Sequence, residues 1–155
     1  MDDERWMAEA LKEARKALEA GEVPVGAVVV QRGRVLGRGC NRVETLQDAT
    51  AHAEMIAITS ASNYLGSWRL GGATIYSTLE PCPMCAGAIF LSRMERLVFG
   101  AEDRRYGACG SGLDVLKDDS LDHRVEVSKG VLREECRQLV QAFFEGVRSR
   151  EQQSK

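Results

Sequence analysis

Apolar side chains at Trp6, Ala10, Leu11, Ala14, Ala17 and Leu18 recur with a helical period, and Lys and Glu fill the opposite face. This pattern predicts an amphipathic helix over 6–20, closed by Gly21. The continuous β-branched run from Val25 to Gln31 predicts a buried strand. Gly33 then marks a turn into a second strand, Arg34 to Cys40, which makes a hairpin. The polar stretch from Asn41 to Thr50 reads as a loop. Ala51 to Ser62 reads as a helix with Met55, Ile56 and Ile58 inward. Ala73 to Leu79 is predicted as a strand, Cys82 to Ser92 as a helix and Arg96 to Gly100 as a short strand. Residues 101–122, rich in Gly and Asp, hold at most a short helix. Arg124 to Val127 is the last predicted strand, and Val131 to Val147 a closing amphipathic helix.

The predicted order is α-β-β-α-β-α-β-β-α. A hairpin followed by strand–helix alternation implies an α/β fold, a three-layer α-β-α sandwich on a mixed five-stranded sheet. No internal repeat, linker or low-complexity run divides the sequence. One domain over 1–150 with a frayed C-terminal tail over 151–155 is therefore expected.

Bulk properties narrow the class. A chain of 155 residues can bury a core without disulfides. The longest apolar stretches, such as Val25 to Val30, are too short to cross a membrane. The acidic start Met1-Asp2-Asp3-Glu4 resembles neither a secretory signal nor a transit peptide. Five cysteines, an odd number, point to a reducing compartment, and a cytoplasmic location is expected. Cys40, Cys109 and Cys136 read as small buried apolar side chains. A net charge of −2 gives no global signature for nucleic acid. Arginines nevertheless cluster at Arg32, Arg34, Arg38 and Arg42, at Arg93, Arg96, Arg104 and Arg105, and at Arg148 and Arg150. Each taken singly reads as a solvated surface charge.

The candidate chemistry lies in two short strings. In Glu80-Pro81-Cys82-Pro83-Met84-Cys85, two thiols stand three residues apart where a strand gives way to a helix. Pro83 suits the first helical turn, and a helix N-terminus favours thiolates. The i, i+3 spacing lets both thiols face one ion. Upstream, His52 and Glu54 open another predicted helix. Three ligands (His52, Cys82 and Cys85) leave the fourth corner of a tetrahedral zinc open to water, the layout of a catalytic site. Glu54 lies about 200° around an ideal helix from His52. From a helix start, His52 can bind zinc while Glu54 reaches the open side.

Blander readings compete with each of these. His52 alone is more often a structural histidine, and Glu54 alone a first-turn carboxylate that complements the helix dipole. A redox dithiol has the same C-x-x-C spacing, but it leaves His52 and Glu54 unexplained. A closed structural zinc would need a fourth ligand from Cys40, Cys109, Cys136 or His123, none of which has a suggestive spacing.

His52-Ala53-Glu54 together with Pro81-Cys82-Pro83-Met84-Cys85 resembles the signature of the zinc-dependent cytidine and nucleobase deaminase superfamily. Further strings are similar to bacterial tRNA-specific adenosine deaminases, the TadA family. They include Glu22-Val23-Pro24-Val25-Gly26-Ala27-Val28, Thr78-Leu79-Glu80, Met84-Cys85-Ala86-Gly87-Ala88 and Val98-Phe99-Gly100-Ala101. Asp114-Val115-Leu116, His123-Arg124-Val125-Glu126-Val127 and Glu134-Glu135-Cys136, leading to Phe143-Phe144, extend the likeness over nearly the whole chain. Two departures fall outside the metal strings. Val43 and Ala49 stand where the family usually has proline, and Glu145-Gly146-Val147 intervenes where the C-terminal end usually turns basic.

The resemblance implies a cytidine deaminase-like fold and one zinc ion per subunit, with Glu54 as the catalytic acid–base. It implies conversion of the wobble adenosine of an arginine tRNA to inosine, and a homodimer whose partner subunit helps hold the tRNA anticodon loop. By family position, Asn41 would hydrogen-bond the flipped adenine. Ala53 would also be a substrate contact, and Asp103 would lie on the RNA-facing loop. Deamination of a free base or nucleoside, such as guanine or cytosine, shares the same metal strings and remains the alternative. A non-catalytic RNA-binding subunit could lose the carboxylate, so the presence of Glu54 argues against that reading.

Overall fold

The computed structural model describes residues 2–153. Helix α1 (Asp3–Glu19) leads into the hairpin of β1 (Gly26–Gln31) and β2 (Arg34–Cys40). Then follow α2 (Val43–Leu46), α3 (Ala53–Leu65), β3 (Thr74–Leu79), α4 (Pro83–Leu91) and β4 (Arg96–Ala101). A 3-10 turn over Val115–Lys117, strand β5 (Glu126–Lys129) and helix α5 (Arg133–Gln153) complete the chain. The sheet order is β2-β1-β3-β4-β5. β1 is antiparallel to both β2 and β3, whereas β3, β4 and β5 run parallel. This is the expected mixed sheet between two helical layers.

Alternation along β1 divides the core. Ala27 and Val29 face α3 and α4 with Ile75, Ile89, Leu97 and Phe99. Val28 and Val30 face α1 and α5 with Met7, Leu11, Tyr76, Val98 and Cys136. Burial on both faces explains why β1 reads as an uninterrupted apolar run.

The inward face of α3 differs from the expectation. Ala53, Ala57 and Ala61 are fully buried there, while Met55, Ile56 and Ile58 are only half-buried. The cause lies on β2. A Cβ at Gly37 would collide with the Ala57 carbonyl oxygen, and one at Gly39 with the Ala53 carbonyl oxygen. Helix and strand therefore approach so closely that only alanines fit between them.

Further boundaries differ, three of them for reasons visible in the structure. The expected loop after Asn41 contains the single-turn helix α2, held by a carboxylate far upstream in the sequence. β5 starts at Glu126 rather than Arg124, because Val125 is buried in the core and His123 Nε2 sits 2.7 Å from the Met94 carbonyl oxygen before pairing begins. α5 does not stop at Val147. Its Arg, Glu and Gln residues are good helix formers and no proline interrupts them, so Glu151–Gln153 are helical rather than frayed. Residues 154 and 155 of the expected tail lie outside the described residues. No helix among the described residues is long and apolar enough to cross a membrane.

Candidate active site and metal centre

Two helix starts meet at one end of the sheet. His52 is the extended N-cap residue of α3 (φ −76°, ψ 152°), and Cys82 occupies the same position on α4 (φ −75°, ψ 173°). Pro83 follows in the first turn of α4, and Cys85 lies one turn beyond Cys82. His52 Nδ1 is 3.5 Å from Cys82 Sγ and 3.5 Å from Cys85 Sγ. The three ligand atoms all lie within 4.8 Å of one another, close enough for one ion to bridge. Among the described residues no other His, Cys, Asp or Glu joins this group. His123, Cys40, Cys109 and Cys136 are elsewhere, so a closed four-ligand site has no protein donor for its last corner.

The protonation pattern suits a metal. A hydrogen bond from the Cys85 thiol, with His52 beside it, holds Cys82 down at about 4. The same pairing with Cys82, together with burial, pushes the Cys85 thiol upward. His52 is raised by its bond to Cys82, against burial. One thiolate thus shares a proton with its neighbour where a divalent cation would hold both as thiolates. A redox dithiol gives no role to an imidazole lying equally close to both sulfurs.

Glu54, the second residue of α3, is buried beside this group. Burial pushes its carboxyl up to about 7, with His52 opposing and the Cys82 thiolate reinforcing. A carboxyl poised near neutrality can both accept and return a proton.

The remaining sequence candidates lie on segments tied to residues next to the two helix starts. Asn41 follows β2; its Nδ2 donates to the Val23 carbonyl at 3.2 Å, and its Oδ1 accepts the Val43 N–H at 3.3 Å. The next residue, Arg42, donates its N–H to the Ala51 carbonyl, which brings Asn41 alongside the start of α3. Ala53 has no exposed surface. Asp103 follows β4, and its Oδ1 accepts the N–H groups of Arg105 and Tyr106 at 3.0 and 3.2 Å. Several expected surface arginines are paired: Arg38 with Glu9, Arg93 with Asp122, and Arg96 with Asp3.

Sequence reading missed two buried carboxylates. Glu22 accepts the N–H groups of Glu44 and Thr45 and the Thr45 hydroxyl, so it caps α2 and fixes the 41–50 segment. Glu80 accepts the N–H groups of Asp103, Cys109 and Ser111 and the Ser111 hydroxyl. Burial works against each charge, yet these bonds outweigh it, and both carboxyls lie below the usual range. The only sequence signal was an acid at the end of an apolar strand, in Glu80.

The sequence matches the MafB19-like deaminase family over residues 1–148. It is 52% identical over 148 residues to the tRNA-specific adenosine deaminase of Bacillus subtilis (strain 168), covering 96% of this chain and 92% of that one. The chain belongs to the tRNA-specific adenosine deaminase family. A solved structure from work on A-to-I editing by tRNA:A34 deaminases at the wobble position superposes on this family member with a TM-score of 0.84. That match has 45% identity and covers 87% of this chain and 98% of the other. A guanine deaminase from Nitrosomonas europaea shares the fold at a TM-score of 0.74, with 24% identity over 90% of this chain and 83% of that one. The deaminase family also accounts for the donor set: a histidine and two cysteines suit zinc, and they leave one position open.

Proposed function

We propose that the protein converts adenosine to inosine at the wobble position of the anticodon of an arginine tRNA. It would act as a zinc-dependent hydrolase with one ion per subunit. The observation that carries this reading is the convergence of His52, Cys82 and Cys85 beside the buried carboxyl of Glu54. The likeness to a tRNA-specific adenosine deaminase at 52% identity supports a tRNA as the substrate. His52, Cys82 and Cys85 would hold the ion. When bound, zinc supplies the Lewis acidity that makes water a nucleophile at neutral pH.

The rest falls to the chain's own groups. Glu54 takes a proton from the attacking water and passes it to N1 of adenine as the new bond forms at C6. It then takes the proton of the new C6 hydroxyl and delivers it to the departing amine as the C6–N bond breaks and the C6 carbonyl forms, so adenosine and water become inosine and ammonia. Asn41 holds the flipped base through its amide. Asp103 shapes the loop that faces the RNA.

A homodimer belongs to this reading. Trp68 is 59% exposed and Leu91 is 63% exposed, and the Leu70 N–H to Ser92 carbonyl bond ties their segments together. This apolar surface suits a second copy of the chain, which would help hold the anticodon loop. A cytoplasmic location also belongs to this reading.

The test is to sequence an arginine tRNA anticodon stem-loop after incubation with the zinc-loaded protein. The wobble adenosine is expected to read as guanosine. Release of ammonia from free guanine or cytosine, with the RNA unchanged, would favour the free-base alternative.

A further inference from the structure

The loop after β4 carries a feature that the reaction itself does not use. Tyr106 is 58% exposed, and the Arg105 guanidinium carbon lies 4.9 Å from its ring centroid. A lone exposed tyrosine is unremarkable on a protein surface. This one stands on an immobilised main chain. Its N–H and that of Arg105 both donate to Asp103 Oδ1, and the Gly107 N–H donates to the Asp103 carbonyl at 2.9 Å. A Cβ at Gly107 would collide with the Asp103 carbonyl oxygen and the Glu80 carboxylate, so the turn closes tightly onto the buried acid. Glu80 in turn holds Asp103 and Cys109 on either side of Tyr106.

The same loop is fastened to the metal centre. The Ala108 N–H donates to the carbonyl of Pro81, the residue before Cys82. Two peptide units separate Tyr106 from Ala108, so their Cα atoms are at most about 8 Å apart. The Tyr106 main chain therefore lies close to the segment that carries Cys82. Arg104 and Arg105 are exposed there, and neither is paired with a carboxylate among the described residues. Arg38, Arg93 and Arg96, by contrast, are all paired.

We propose that Tyr106, backed by Arg105, is a stacking platform for a nucleotide that flanks the target adenosine. This rests on the reading above of RNA as substrate. A base swung out of its loop leaves its neighbour without a stacking partner, and an exposed aromatic ring nearby replaces that partner. The backbone is already fixed, so binding orders only the ring torsions. The neighbouring guanidiniums add attraction for the adjoining phosphates. Tyr106 is a substrate-positioning residue and takes no part in bond making.

The experiment uses the zinc-loaded full chain and an anticodon stem-loop with 2-aminopurine on one side or the other of the target. Wild-type protein is expected to quench one of the two probes by stacking, and Tyr106→Ala to leave both bright. Tyr106→Ala should raise KM for the stem-loop about tenfold, the loss of one base–aromatic stack, with kcat and zinc content unchanged. Tyr106→Phe should behave as wild type. A Tyr106→Ala protein with unaltered KM and quenching overturns the platform alone, and so does one that loses kcat at constant KM. Wild-type protein that neither binds nor edits the stem-loop overturns the RNA reading and the platform with it.

Discussion

The carboxylate of Glu80 accepts both the N–H and the hydroxyl hydrogen of Ser111, thirty-one residues further along the chain. Its remaining bonds go to the N–H groups of Asp103 and Cys109, so one side chain organises the whole segment beside the metal centre. Glu80→Gln keeps the shape but turns an NH2 group toward donors. The variant is expected to lose about 1–3 kcal/mol in urea unfolding. Amide hydrogen exchange at Asp103, Cys109 and Ser111 should accelerate, while α1 stays protected. Unchanged exchange at those three amides would mean that the loop is held by something else.

Glu54→Gln should keep the metal and lose the reaction. The ligand atoms belong to His52, Cys82 and Cys85, so zinc content by elemental analysis is expected to stay at one per chain. Inosine formation should fall by about 10²–10⁴-fold, because an amide cannot shuttle protons. Near wild-type turnover would remove Glu54 from the mechanism.

Zinc uptake by metal-free protein should release protons. Cys82 is held down at about 4 and is already a thiolate at neutral pH, whereas Cys85 is raised and keeps its proton until the metal displaces it. Titration calorimetry in buffers of different ionisation enthalpy should therefore give different apparent heats. Acidification favours the protonated, metal-free form, so affinity should weaken by about tenfold per pH unit for each proton displaced. Buffer-independent heats would contradict this protonation pattern.

Asp3 and Arg96 join the start of the chain to the sheet. Two bonds of 2.8 Å link guanidinium and carboxylate, and the Tyr76 hydroxyl donates a third to Asp3 Oδ1. The Arg96 bond leads in holding the Asp3 carboxyl below its usual value. A depressed folded value means that the stabilisation is fully present above the unfolded carboxylate range, about pH 4. It is lost as pH falls through the lower folded value. Asp3→Asn should cost about 2–3 kcal/mol at pH 7, since it strands a partly buried guanidinium. The gap from wild type should shrink in acid below about pH 4. A constant gap across that range would show that the charge on Asp3 is not what stabilises.

The sheet, the helical layers and the grouping of His52, Cys82 and Cys85 were legible in the sequence because each leaves a local mark. β1 is an unbroken apolar run, and Cys82 and Cys85 sit three apart beside a helix-starting proline. The inward face of α3 was not legible. Met55, Ile56 and Ile58 look like core residues by hydropathy. The deciding fact is the missing side chains at Gly37 and Gly39 on another strand. Helix α2 escaped for the same kind of reason, because its cap, Glu22, comes from twenty-two residues upstream of Glu44. Periodicity reports what a segment prefers by itself and is silent on a partner supplied from elsewhere in the fold.

Glu22 and Glu80 each secure one of the two segments that frame the reaction centre, and neither belongs to the group that would hold the ion. Each segment is thus anchored to the scaffold by one buried acid and tied by a main-chain bond to the residue before a metal ligand. Replacing side chains between these ties, with the ties kept, is expected to leave the ligands and the proton carrier where they are. Grafting the 103–111 segment of another deaminase onto this chain, with Glu80 kept, is therefore a route to a new substrate preference on an unaltered catalytic base.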